Sequence, residues 1–142
     1  MKIYNEKLLI IIKEYFSKQN NVSFVYLFNL YSNLEINYQD INIIIHFDNY
    51  DIKSSYKIKH FKNIFHYCNK LINFAYDLKK LLNHEINIYE IQDMNIYDQI
   101  KVINNGLKVY CNDEEELGNY IENLSKKACE IEDDRMFLNY ID

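Results

Sequence analysis

At 142 residues, with 49% hydrophobic and 26% charged side chains, the chain is long enough for one substantial core and too apolar to be disordered. A formal net charge of −5 lacks the cationic surface that general nucleic-acid binding requires, and Cys68, Cys111 and Cys129 are spaced for neither a zinc site nor a disulfide framework. Pro is absent and Gly occurs only at Gly106 and Gly118, so tight loops fall to Asn, Asp and Ser.

In chain order, Leu8, Ile11, Ile12 and Phe16 recur at helical spacing and predict an amphipathic helix over 5–18. The apolar run at 8–12 is too short for a membrane span and is followed by Lys13 and Glu14. With no leader pattern before it, a cytoplasmic protein is expected. Residues 22–28 are short, β-branched and aromatic, as a buried strand requires, and 39–47 read as the next strand. From Tyr56 to Leu82 a long helix is expected, its buried stripe traced by Phe61, Ile64, Phe65, Cys68, Leu71, Ile72, Ala75, Leu78 and Leu82. The basic stretch Lys53 to Lys62 falls at its start. Tyr56, Ile58 and Phe61 are interspersed there, so it reads as a solvated helix face.

Residues 85–91 form a third strand and 96–103 a short helix. Asn104-Asn105-Gly106 reads as a turn suited to left-handed residues. Residues 107–111 make a fourth strand, expected at an edge. Asn112 or Asp113 caps a last helix that opens with Glu114, Glu115 and Glu116, an acidic run that suits the positive helix end. Its stripe is Leu117, Tyr120, Ile121, Leu124, Ala128 and Ile131. The order α-β-β-α-β-α-β-α implies one α+β domain over 1–142, a small mixed sheet covered by helices.

One feature of the second strand is polar. Asp40 and Asn42 stand two positions apart, on one face of an otherwise apolar segment. With its neighbours this pair carries a family resemblance. "VYLFNLYS" (25–32), "QDINIIIHF" (39–47) and "EINIYEI" (85–91) resemble, in this order, three strands of the minimal nucleotidyltransferases of the polymerase-β-like superfamily. These are the strand ending in Phe-Gly-Ser, the Ser-Asp-Ile-Asp strand and the later Val-Asp-Leu-Val-Asp-Leu strand. "NNGLKVYCND" (104–113) is similar to the family's closing segment. The subgroup includes the MntA-type antitoxins partnered with HEPN-domain ribonuclease toxins. The resemblance covers nearly the whole chain and implies the nucleotidyltransferase fold.

Moving a nucleotidyl group from a triphosphate needs paired Mg²⁺ ions held by carboxylates, and a Gly-Ser turn whose N–H groups and hydroxyl approach the phosphates. Carried over by position, Asn29 stands for the Gly, Leu30 for the Ser, Asn42 for the second carboxylate and Asn87 for the third. Only Asp40 matches. Asn is a neutral ligand, and Leu30 neither donates nor leaves room for phosphate. The resemblance therefore implies a degenerate site, with no cofactor expected. Glu85 shares a strand face with Asn87 and is a candidate displaced carboxylate beside Asp40, against a solvated strand end. Asp40 itself is either a residual metal ligand or a strand-start residue bonding loop N–H groups. Glu90 falls on the opposite face of a regular strand.

Other candidates read as structural. His46, on the Asp40/Asn42 face, is expected as a satisfied, hydrogen-bonded histidine and not a base. His60, His66 and Cys68 lack metal-ligand spacing on the long helix. Ser32 falls two residues late to replace the lost phosphate donor. Two functions follow. The first is a pseudo-nucleotidyltransferase that binds a HEPN-type toxin as a hetero-oligomer, an acidic domain against a basic partner, with no direct nucleic-acid or membrane contact. The second is a divergent transferase moving AMP from ATP, with Mg²⁺, to a partner protein's tyrosine or to RNA.

Overall fold

In the computed structural model, residues 5–28, 40–48 and 58–141 are described, the side chains of 58–66 and 133–141 excepted. Helix α1 (Glu6–Ser17) starts where the Asn5 side chain accepts from Lys7 N–H, an N-cap that satisfies one of the first-turn donors. Strand β1 (Val22–Leu27) is buried along its whole length, and β2 (Asp40–Phe47) is buried from Ile43 onward. Helix α2 (Ile58–Leu82) leads to β3 (Glu85–Glu90), which ends in a single 3-10 turn, Ile91–Asp93. Helix α3 (Ile96–Asn105), β4 (Leu107–Cys111) and α4 (Glu114–Ile141) complete the chain. The sequence-derived order α-β-β-α-β-α-β-α is the observed one.

The strands form one sheet in the order β3-β2-β1-β4. β1 runs antiparallel to both β2 and β4, whereas β2 and β3 are parallel, joined across α2. The sheet is therefore mixed, with β3 and β4 at its edges.

Alternation along β2 sorts the core into two layers. Ile41, Ile43, Ile45 and Phe47 point into one cluster with Ile12, Phe16, Phe74 and Leu78, beneath α1 and α2. Ile44 points the other way, with Phe24, Tyr26, Val102 and Leu117 beneath α3 and α4. Asp40, Asn42 and His46 share this second face by the same alternation. Phe16, Tyr15 and Phe74 meet edge to face at centroid distances of 5.3 to 5.9 Å, which fixes α1 against α2. None of the described helices is long and apolar enough to cross a membrane.

Three local expectations are corrected. Ile72 and Cys68 lie on the exposed side of α2, and Phe74 takes the buried place assigned to Ile72. Asn104 and Asn105 continue α3 instead of turning, and Gly106 keeps a negative φ of −75°. Its lack of a side chain serves close approach: a Cβ would stand 2.4 Å from the Val102 carbonyl oxygen. Among the described residues the left-handed positions are Asn21 and Asn83, at φ 68° and 55°, after α1 and α2 respectively. Residue 91 belongs to the 3-10 turn and not to β3. Asp113, one of the two expected caps, accepts from the N–H groups of Glu115 and Glu116.

Candidate functional site

Parallel pairing brings the sequence-predicted residues of β2 and β3 together. Asp40 lies opposite Glu85 and Asn42 opposite Asn87, a two-by-two polar array at the start of both strands. The carboxamides bond each other directly: Asn87 Nδ2 donates to Asn42 Oδ1 at 3.1 Å. This bond confirms that the β3 pair shares the Asp40/Asn42 face. The array contains two carboxylates in one row and two neutral amides in the next. An amide offers a metal one weakly polar oxygen and no charge, and here Asn42 Oδ1 is already accepting a hydrogen bond.

Glu85 does not stand free beside Asp40. Lys79, near the end of α2, places its ammonium 2.7 Å from Glu85 Oε1. Both side chains are more than half exposed, so the pair contributes little stability. It does occupy the carboxylate that a displaced metal would need. Asn29, Leu30 and Ser32, the positions assigned to a phosphate cradle or its rescue, lie outside the described residues. So do the side chains of His60 and His66. Among the described residues no three His, Cys, Asp or Glu side chains converge so as to hold a metal ion.

The other end of the same sheet face holds a polar group that sequence reasoning missed. His46 Nδ1 lies 2.8 Å from Glu90 Oε1, with His46 only 8% exposed and Glu90 1%. The expected satisfied histidine is thus found, bonded to a residue assigned to the opposite face. The reason lies in where β3 stops. The chain turns away at Ile91, so the ladder loses its next main-chain carbonyl, and Glu90 Oε2 accepts from Phe47 N–H at 2.9 Å. Glu90 Oε1 also accepts from Gln92 N–H at 3.1 Å, capping the 3-10 turn. One carboxylate therefore ends a strand, begins a turn and orients a histidine.

The His46 ring is held between Phe24 and Tyr120, at centroid distances of 5.2 and 5.0 Å. Tyr120 in turn donates to Gln99 Oε1 at 2.5 Å, and Gln99 Nε2 donates to the Met94 carbonyl. Burial pushes the Glu90 carboxyl above the usual carboxylate range, against the opposing pull of His46 and the two main-chain N–H groups. Burial also raises the Tyr120 phenol, with the Glu90 charge adding to it. The network joins β2, β3, α3 and α4, with His46 and Glu90 both buried.

No protein-family model matches the chain, and no curated protein sequence does. Solved structures do resemble it. A protein from Shewanella oneidensis has a TM-score of 0.59 at 10% identity, over 95% of each chain. A chain of the toxin–antitoxin MntA–HepT gives 0.47 at 14%, over 91% of this chain and 97% of that one. A chain of a tri-AMPylated Shewanella oneidensis HEPN toxin in complex with MNT antitoxin gives 0.45 at 15%, over 89% and 93%. At such identities the likeness is one of fold. What is shared with the Shewanella oneidensis protein is the mixed α+β architecture, a small sheet covered by helices.

Proposed function

We propose that this chain is a catalytically degenerate nucleotidyltransferase-like protein that acts by binding another protein, as the antitoxin-like partner of a HEPN-type ribonuclease toxin. The observation that carries the reading is the Asn42–Asn87 carboxamide pair, closed on itself at 3.1 Å where the resembled family places metal carboxylates. Paired Mg²⁺ on a nucleoside triphosphate needs several anionic oxygens at one point. The array supplies Asp40 and a Glu85 already paired with Lys79. These residues do not fit a two-metal site, and no catalytic step is derived through one.

The partner class rests on the resemblance of residues 25–32, 39–47 and 85–91 to MntA-type proteins. A net charge of −5 supports binding to a basic ribonuclease, and a cytoplasmic complex is part of this proposal. Co-expression with the product of the neighbouring open reading frame, expected to be a HEPN-type protein, tests this. The expected result is a stable hetero-oligomer whose formation is indifferent to ATP and Mg²⁺, and which suppresses the ribonuclease. Failure to associate at micromolar concentration removes the proposal.

A second reading is favoured by one observation, the register pairing that sets Asp40 and Glu85 side by side on the same face. In it the chain moves AMP from ATP to a hydroxyl of the partner or of RNA, releasing pyrophosphate, and Asp40 would help hold the Mg²⁺ that neutralises the phosphates. Labelled ATP then transfers its nucleotide in the presence of the partner, and Asp40→Ala abolishes the transfer. Absence of label with Mg²⁺ or Mn²⁺ eliminates it.

A further inference from the structure

Helix α1 carries Leu8, Leu9, Ile10, Ile11 and Ile12 in succession, so apolar side chains face every direction around it. The core uses part of this ring: Ile12 is buried, and Leu8 and Leu9 pack against the same cluster. Ile10 remains 55% exposed. Beside it lies β4, an edge strand whose first residue, Leu107, is 43% exposed. Between them runs a groove of about 160 Å³ lined by Leu9, Ile10, Lys13, Leu107, Lys108 and Val109.

We propose that this groove takes an extended, acidic–apolar segment of a partner protein, added as a fifth strand along the edge of β4 that no strand among the described residues pairs with. The inference rests on the reading above only in that the chain works through protein contacts. An edge strand offers main-chain donors and acceptors to an incoming strand, and α1 overhangs the place where alternate side chains of that strand would sit. The lining then sets the chemistry. Its apolar part is Leu9, Ile10, Leu107 and Val109, and both of its charged members are lysines. Lys108 holds Glu114 at 2.8 Å, while Lys13 makes no ion pair among the described residues. An acidic residue of the incoming strand meets Lys13 directly.

A second copy of this chain fits less well. Pairing two β4 edges brings the two α1 helices antiparallel on one face. About Ile10 that sets Lys7 against Lys13 and Glu6 against Glu14 of the other copy, like charge on like charge.

The test uses the full chain and two short fluorescent peptides, one alternating Val with Glu and the other Val with Lys. Anisotropy at low salt is expected to favour the acidic peptide by about fivefold or more. Lys13→Glu reverses the preference and Ile10→Asp weakens both, with circular dichroism confirming that each variant is folded. Amide hydrogen exchange slows in 107–111 on binding. Equal affinity for both peptides, protection at β3 instead, or concentration-dependent self-association that protects 107–111 would each overturn the proposal. A HEPN-type complex that leaves these amides unprotected overturns it while sparing the functional reading. Acidic-peptide binding without a HEPN-type complex does the reverse.

Discussion

His46 and Glu90 meet at 2.8 Å inside the molecule, each brought there by a different strand end. Because Glu90 also receives the N–H groups of Phe47 and Gln92, deleting its carboxylate strands three polar partners at once. Glu90→Ala is expected to lower stability by about 3–5 kcal/mol, and His46→Ala by somewhat less. The double variant should lose less than the sum, since each single change already breaks the shared bond. Urea denaturation of the four proteins measures this. Additive losses would mean that the two residues act independently.

The same carboxylate sets a pH dependence. Its folded-state pKa is raised by burial, so the folded protein holds that proton more tightly than the unfolded chain does. The stabilisation is complete below the ordinary carboxylate range and is lost as pH climbs through the raised value. Glu90→Gln cannot titrate and should lack this component. Subtracting its stability-versus-pH curve from that of the unaltered protein should give a difference that falls as pH rises above about 4.5. A rising difference would place the sign the other way and make the anionic form the one that folding prefers.

These residues also mark where sequence reading stops. The eight elements follow from local pattern: helical spacing of Leu8, Ile11, Ile12 and Phe16 in α1, unbroken β-branched runs in β1 and β2, helical periodicity in α2 and α4. Which side of α2 faces the sheet is harder. Phe74 and Ile72 flank the Leu71–Ala75–Leu78 stripe on either side, and only the packed sheet chooses Phe74. Asp40, Asn42, Glu85 and Asn87 were legible as polar residues sharing strand faces. Their exact opposition is a register of parallel strands separated by a whole helix, which no local signal encodes. Glu90 escaped because its direction depends on a strand ending one residue early.

Ser23 presents a different local problem. It is fully buried at the irregularity where β1 shifts register against β2, and its hydroxyl has no hydrogen-bond partner among the described residues. A buried hydroxyl without a partner carries a desolvation cost that Ala does not. Ser23→Ala should therefore be neutral or stabilising by up to about 1 kcal/mol, read as an unchanged or higher melting temperature. A loss beyond about 1 kcal/mol would reveal a bridging water that the hydroxyl holds.

At Gly106 the outcome runs against substitution. The added Cβ of Gly106→Ala would stand 2.4 Å from the Val102 carbonyl oxygen and 3.3 Å from that of Leu27. Main chain on both sides leaves no flexible atom to yield, and Gly106 N–H is bonded to that same Val102 oxygen at 2.7 Å. A loss of about 1–3 kcal/mol is expected. Gly118 has open space around its Cβ position and lies within α4, so Gly118→Ala should instead stabilise by about 0.5–1 kcal/mol. Comparing the two denaturation midpoints checks the geometry, and equal shifts would refute it.

The Asn42–Asn87 pair permits a direct test of how far the array stands from a metal site. Replacing both with Asp puts four carboxylates on two adjacent strands, two of them where an amide hydrogen bond at 3.1 Å now holds. Without a divalent ion, cross-strand repulsion and the lost bond should destabilise the double variant by about 1–3 kcal/mol. Millimolar Mn²⁺ should restore much of that loss, because an ion that binds only the folded state stabilises it by mass action. The unaltered protein should show no matching rise in melting temperature, having neutral groups at both positions and Lys79 on Glu85. Asn87→Asp alone should fall between the two. If Mn²⁺ raises the melting temperature of the unaltered chain as much as that of the double variant, Asp40 and Glu85 suffice for binding, and the degenerate reading of this site fails.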